Sequence, residues 1–134
     1  MVSATHTTPV VKSTLWTGRI ISTLVALFLA FDSIIKLLQL APAVDATTLL
    51  GYPASLVLVI GVVETICLAA YVIPRTSLLG AILLTGYLGG AVASQMRVGT
   101  PLFQIVFPLI MGALLWGGLL LRDNQLRGRL LLAQ

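Results

Sequence analysis

A chain of 134 residues that is 58% hydrophobic and only 9% charged, with mean hydropathy +1.07, has far more apolar surface than a soluble domain of its size can bury. Eight Lys and Arg against four Asp and Glu give a formal net charge of +4, but the basic residues stand at segment ends and form no stripe interleaved with aromatics, which argues against a nucleic-acid partner. One cysteine, Cys67, and one histidine, His6 in a polar tail, exclude an intrachain disulfide and a cysteine-rich metal site and argue against haem or a His-based metal centre.

The chain opens on a polar tail, residues 1–15, followed by an apolar run over residues 20–40. At ~1.5 Å per residue that run is long enough to cross a hydrocarbon core as a helix. Lys12 and Arg19 before it and Ala41-Pro42-Ala43 after it give the outline of a secretory signal. Asp32 and Lys36 interrupt the run too early for one, so the segment is expected to be retained. Three further runs cover residues 55–73, 77–96 and 103–121, with a second polar tail at 122–134. Gly51-Tyr52-Pro53, Pro74-Arg75 and the stretch from Arg97 to Pro101 separate them, as proline and glycine do at helix ends. Four short strands cannot close a barrel, and an open sheet leaves backbone groups unpaired in lipid. The expected fold is therefore all-α: one integral membrane domain, residues 1–134, built as an antiparallel up-down four-helix bundle.

Four crossings place both termini and the Pro74-Arg75 turn on one side, with Lys12, Arg19, Arg122, Arg127 and Arg129. Arg97 lies toward the other side, as does Lys36 near the end of the first run. This asymmetry predicts cytoplasmic termini in a cytoplasmic membrane. Trp16 stands where an interfacial anchor is expected, while Tyr52 and Trp116 are anchors or packing residues.

Ionisable groups inside a span are costly unless paired, solvated or neutralised. Asp32 lies about 12 Å, and Glu64 and Tyr87 about 13.5 Å, from the outer ends of their runs at the helical rise, so the three share one level. Lys36 follows Asp32 by four residues on the same helical face, with Gln39 a turn further out; Glu64, Cys67 and Tyr71 share another face. Gln95, Arg97 and Gln104 are expected at the outer mouth. One reading makes Asp32, Lys36, Glu64 and Tyr87 polar glue between helices, with Glu64 protonated or bonded to Tyr87. The other makes them a pocket for a ligand, a quinone-like head group or protons. No nucleophile, metal-ligand set or phosphate-binding loop accompanies the carboxyls, so catalysis by this chain alone is not expected. Gly86, Gly90 and Ser94 recur every four residues as a small-residue ridge, for which Ala113 and Gly117 offer a groove; the expectation is helix packing inside the molecule rather than a homo-oligomer seam.

The runs Val63-Glu64-Thr65, Tyr71-Val72-Ile73-Pro74-Arg75-Thr76, Leu84-Thr85-Gly86-Tyr87-Leu88-Gly89-Gly90-Ala91-Val92-Ala93 and Arg97-Val98-Gly99 resemble the DoxX-like family of small bacterial membrane proteins. Residues 31–37 fit its first-helix signature, ending in Lys36-Leu37, and Leu115-Trp116-Gly117-Gly118 with Leu121-Arg122-Asp123 fits its last helix. The chain departs from the family in Asp32-Ser33-Ile34-Ile35-Lys36, where a small residue, often glycine, usually precedes the lysine. The resemblance implies a four-helix membrane bundle in the bacterial inner membrane. It also implies an accessory part in a membrane redox complex, because relatives include a membrane subunit of thiosulfate:quinone oxidoreductase. Quinone is the ligand class so implied, and any flavin, haem or iron–sulfur centre belongs to a partner. A proton or small-solute transporter and a purely structural partner protein are the alternatives.

Overall fold

In the computed structural model, residues 10–132 are described and all regular structure among them is helical; His6 lies outside the described residues. The helices are α1 (Val10–Leu37), α2 (Ala41–Leu49), α3 (Leu56–Val72), α4 (Ser77–Val98), α5 (Leu102–Arg122) and α6 (Asn124–Leu132), with a 3-10 turn at Pro74–Thr76 before α4. Residues 10–15, read from sequence as polar tail, are the first turns of α1. The C-terminal tail likewise contains a separate helix, started where Asp123 Oδ1 accepts the Leu126 backbone N–H at 2.9 Å. The helix of the first run ends at Leu37, short of the expected Leu40. Ala41-Pro42-Ala43 is not its end but the first turn of α2, because proline fits the N-terminal turn, where its missing N–H costs nothing.

Three helices end in one device. Leu40 N bonds Ile35 O at 3.0 Å past α1, Tyr52 N bonds Thr47 O at 3.3 Å past α2, and Thr100 N bonds Gln95 O at 3.2 Å past α4. Each wraps a residue of positive φ: Gln39 at 53°, Gly51 at 89° and Gly99 at 71°. These closures use up terminal carbonyls that would otherwise lack donors. At the end of α3 side chains do the same work. Ser77 Oγ donates to Tyr71 O at 2.7 Å and Thr76 Oγ1 to Ala70 O at 2.7 Å.

Each of the four long helices packs on two others: α1 on α3 and α5, and α4 on α3 and α5. Leu29, Tyr71, Leu84, Leu115 and Leu119 fill the centre and are at most 2% exposed. Outward, Leu24, Phe31, Ile66, Ile82 and Leu109 are exposed, the apolar coat that a lipid solvent demands. The segments Lys12–Leu37, Pro74–Val98 and Leu102–Arg122 are each long and apolar enough to cross a membrane, and α3 is a shorter apolar helix of 17 residues.

Glycine sets the closest seams. A Cβ on Gly18 meets Gly118 O at 2.8 Å, and one on Gly80 meets the Ala70 carbonyl carbon at 2.6 Å and the Tyr71 backbone still closer. Gly86 and Gly90, expected to be the packing ridge, have nothing within 4 Å of a built Cβ, and neither has Gly117. Spacing of small residues reveals a smooth helix face; it does not say whether a helix or a space lies opposite.

Candidate functional site

Lys36, in the last turn of α1, is the hub of a polar cluster. Its Nζ donates to Asp32 Oδ2 at 2.6 Å, to Glu64 Oε2 at 2.8 Å and to the Tyr87 hydroxyl at 2.6 Å. Three helices meet on one ammonium because α3 comes very near α1 there: a Cβ on Gly61 meets Lys36 Cβ at 2.8 Å. One turn along, Glu64 is fully buried. Tyr87 donates its own proton to Glu64 Oε2 at 2.9 Å. Asp32, Glu64 and Tyr87, expected at one depth from residue counting, and Lys36, one turn beyond Asp32 on the same face, are thus brought together.

Above the cluster lies a cavity of about 590 Å³. Asp32, Lys36 and Tyr87 form its floor; Gly86, Gly90 and Ser94 give one wall, and Phe28, Phe107 and Met111 face them. Glu64 does not reach the cavity surface and supports the floor from behind. The roof comes from α2 and the segment after it, through Ala43, Thr47 and Tyr52. Ser94, expected with Gly86 and Gly90 in the ridge, bonds the Tyr52 hydroxyl at 2.7 Å and so ties roof to wall.

The predicted outer mouth divides. Gln95 lines the cavity, and its Oε1 is buried without a partner among the described residues. Arg97 donates to Leu50 O at 2.6 Å and lies 5.9 Å from the Tyr52 ring centre, fastening the end of α2 in place. Gln39 and Gln104 are exposed and do not line the cavity. Gln39 left its helical face because it is the positive-φ residue that ends α1. Residues of the roof were missed: Thr47 gave no signal, and Tyr52 is read from sequence as an interfacial anchor or packing residue at a break, not as part of a cavity. The one available clue was Pro42, a helix start as readily as a stop.

The hydrogen-bond inventory of the floor is one-sided. An ammonium has three donors, and all three of Lys36 are spent. The Tyr87 proton is also spent. Asp32 Oδ1 has no hydrogen bond among the described residues, and the Asp32 side chain is 32% exposed. The floor therefore offers acceptors to whatever enters the cavity.

A family model described as the DoxX-like family matches residues 20–118. The chain belongs to the DoxX-like family. The matched stretch contains the whole Lys36 cluster and every residue lining the cavity, so the site sits within the part shared with the DoxX-like proteins. No curated protein and no solved structure matches the chain.

Proposed function

We propose that this DoxX-like protein crosses the bacterial inner membrane four times, as an antiparallel bundle with cytoplasmic termini, and binds a lipophilic small molecule in the cavity above Lys36. Cross-helix pairs support the alternation of direction: Gly18 lies by Gly118 while Phe28 lies 5.2 Å from Phe107, and Tyr71 lies by Gly80 while Glu64 bonds Tyr87. The cavity has the form of a ligand site, mostly apolar with a few convergent polar groups. The observation that carries the reading is the floor: every donor is consumed, and an Asp32 oxygen is left. A head group that donates hydrogen bonds is therefore favoured, and a carbonyl head group meets an acceptor. Within the quinone class this selects the hydroquinone. The protein is then an accessory subunit that holds a quinol for a partner carrying the redox centre.

The test is retention of a short-tailed ubiquinol, kept reduced under anaerobic conditions, by protein in lipid nanodiscs, with the matching quinone alongside and bound material measured by mass spectrometry. The hydroquinone is expected to be retained in excess over the quinone. Gly86→Leu, which fills open space, is expected to abolish retention while leaving the fold intact. Failure to retain either molecule, or full retention by Gly86→Leu, refutes the reading.

A second reading has its own observation. Two carboxyl groups share one ammonium, and Glu64 Oε1 is buried without a partner among the described residues, an arrangement suited to carrying a proton. Proteoliposomes that show no proton or solute flux in either pH direction count against it.

A further inference from the structure

The far end of the molecule holds a second cationic group with different chemistry. Arg122, the last residue of α5, lines a cavity of about 130 Å³ together with Ser22, Thr23 and Tyr71. Its guanidinium lies 5.2 Å from the Tyr71 ring centre, and Nη2 reaches Ser77 Oγ only at 3.5 Å. Nε is buried with no partner among the described residues. No carboxylate answers it: among the described residues the only salt bridges are those of Lys36. The adjacent Asp123 turns its Oδ1 to the Leu126 backbone N–H instead.

A half-buried arginine without a counter-charge, with an unpaired buried donor, is an arrangement that native structures rarely leave unmet. The hydroxyls nearby narrow what can meet it. Tyr71 donates to Leu115 O at 2.8 Å, so its contact with Ser22 at 3.1 Å is one it accepts. Ser22 is thereby spent, while the Thr23 hydroxyl has no hydrogen bond among the described residues and can donate into the cavity. A planar fork of N–H donors beside a free hydroxyl matches the oxygens of a phosphate ester or phosphate ion. The volume is several times the ~30 Å³ share of one water and admits such a group.

We infer that Arg122, with Thr23, forms a phosphate-binding site where the end of α5 packs against α1. The phosphate comes from a phospholipid headgroup or from a soluble phosphate. This site stands apart from the Lys36 cavity and does not depend on what that cavity holds.

The test uses the full chain, purified and stripped of lipid in mild detergent. It is offered phosphatidylglycerol or, as a phosphate-free control, diacylglycerol with the same acyl chains, and retained lipid is counted by native mass spectrometry. In parallel, unfolding is followed by thiol labelling of the buried Cys67 with and without millimolar inorganic phosphate, chloride serving at equal ionic strength. Preferential retention of phosphatidylglycerol supports a headgroup, and stabilisation by inorganic phosphate supports a soluble source. Arg122→Gln is expected to reduce the effect by about tenfold, the scale of one lost charged hydrogen bond. Arg122→Lys, which keeps the charge without the fork, is expected to fall between. Arg97→Gln, at the opposite end, is expected to lower the unfolding midpoint through its lost bond to Leu50 O but to leave the lipid preference and the phosphate-induced stabilisation unchanged. If phosphatidylglycerol is retained no better than diacylglycerol and phosphate gives no stabilisation in the wild-type protein, the site is filled by water alone and the inference is wrong. Equal loss in Arg97→Gln and Arg122→Gln overturns it too, by making the effect one of overall charge.

Discussion

Adding a single methyl group at Gly80 is expected to unseat α3 from α4. The new Cβ falls 2.6 Å from the Ala70 carbonyl carbon and closer still to Tyr71 backbone atoms, whereas ordinary contact begins at 3.4 Å. Backbone cannot swing aside like a side-chain tip, so the two helices must separate by the better part of an ångström. A gap of 0.5–1 Å already forfeits about a quarter to a half of each dispersion contact along the seam. Overpacking of this kind costs roughly 3 kcal/mol, against which the better helix propensity of alanine returns about 1 kcal/mol. The same substitution at Gly86 meets nothing within 4 Å and is expected to keep that gain. Cys67, the only cysteine and 6% exposed, is a built-in reporter: heating with a thiol-reactive dye gives an unfolding curve. Gly80→Ala is expected to unfold several degrees below wild type and Gly86→Ala at or above it. Equal midpoints for the two variants would show that the tight seam is not where packing is decided.

Lys36→Met leaves Asp32 and Glu64 without their cation and should destabilise by about 3–5 kcal/mol, as breaking a buried pair does. Adding Glu64→Gln should recover part of that loss, and a double-mutant cycle with no coupling refutes the shared-hub reading. Tyr71→Phe removes the bonds to Leu115 O and Ser22 at a site 1% exposed, with an expected cost of about 1–3 kcal/mol read by the same Cys67 labelling. A reporter fused after Gln134 should be active only in the cytoplasm; activity confined to the outer side overturns the assigned orientation.

Much of the helical layout was legible because it follows from apolar length and from proline and glycine at the breaks. That Asp32, Glu64 and Tyr87 come together was legible too, since a fixed rise per residue converts position into height along each helix. Two things were not. The first was α2: a nine-residue helix is too short for a hydropathy signal, and Pro42 serves equally to stop one helix or start another. The second was the meaning of the α4 glycines. Residue spacing fixes which face Gly86 and Gly90 share, but only the placement of the other helices decides whether that face is packed. Arg122 shows the same limit. Its place after the last apolar run is legible in the sequence, yet the absence of a carboxylate partner among the described residues is visible only in three dimensions.

Glycine plays opposite parts at the start and in the middle of α4, and this is what makes room beside the charged cluster. Near its start, Gly80 lets the α3 backbone close in, and the nearby Gly18–Gly118 contact does the same between α1 and α5. Further along, Gly61 draws α3 onto α1 at Lys36, while Gly86 and Gly90 leave the facing space open. α4 is thus pinned near its start by the Gly80 contact and at its middle by the Tyr87–Lys36–Glu64 bonds, which holds the gap open. Filling it with side chains at Gly86 or Gly90 meets no steric obstacle within 4 Å. A purely structural molecule has no use for such a gap, since packing it would add dispersion contacts. Glue between helices accounts for Lys36 and its partners; it does not account for the space beside them, and that space is the reason a ligand is proposed there.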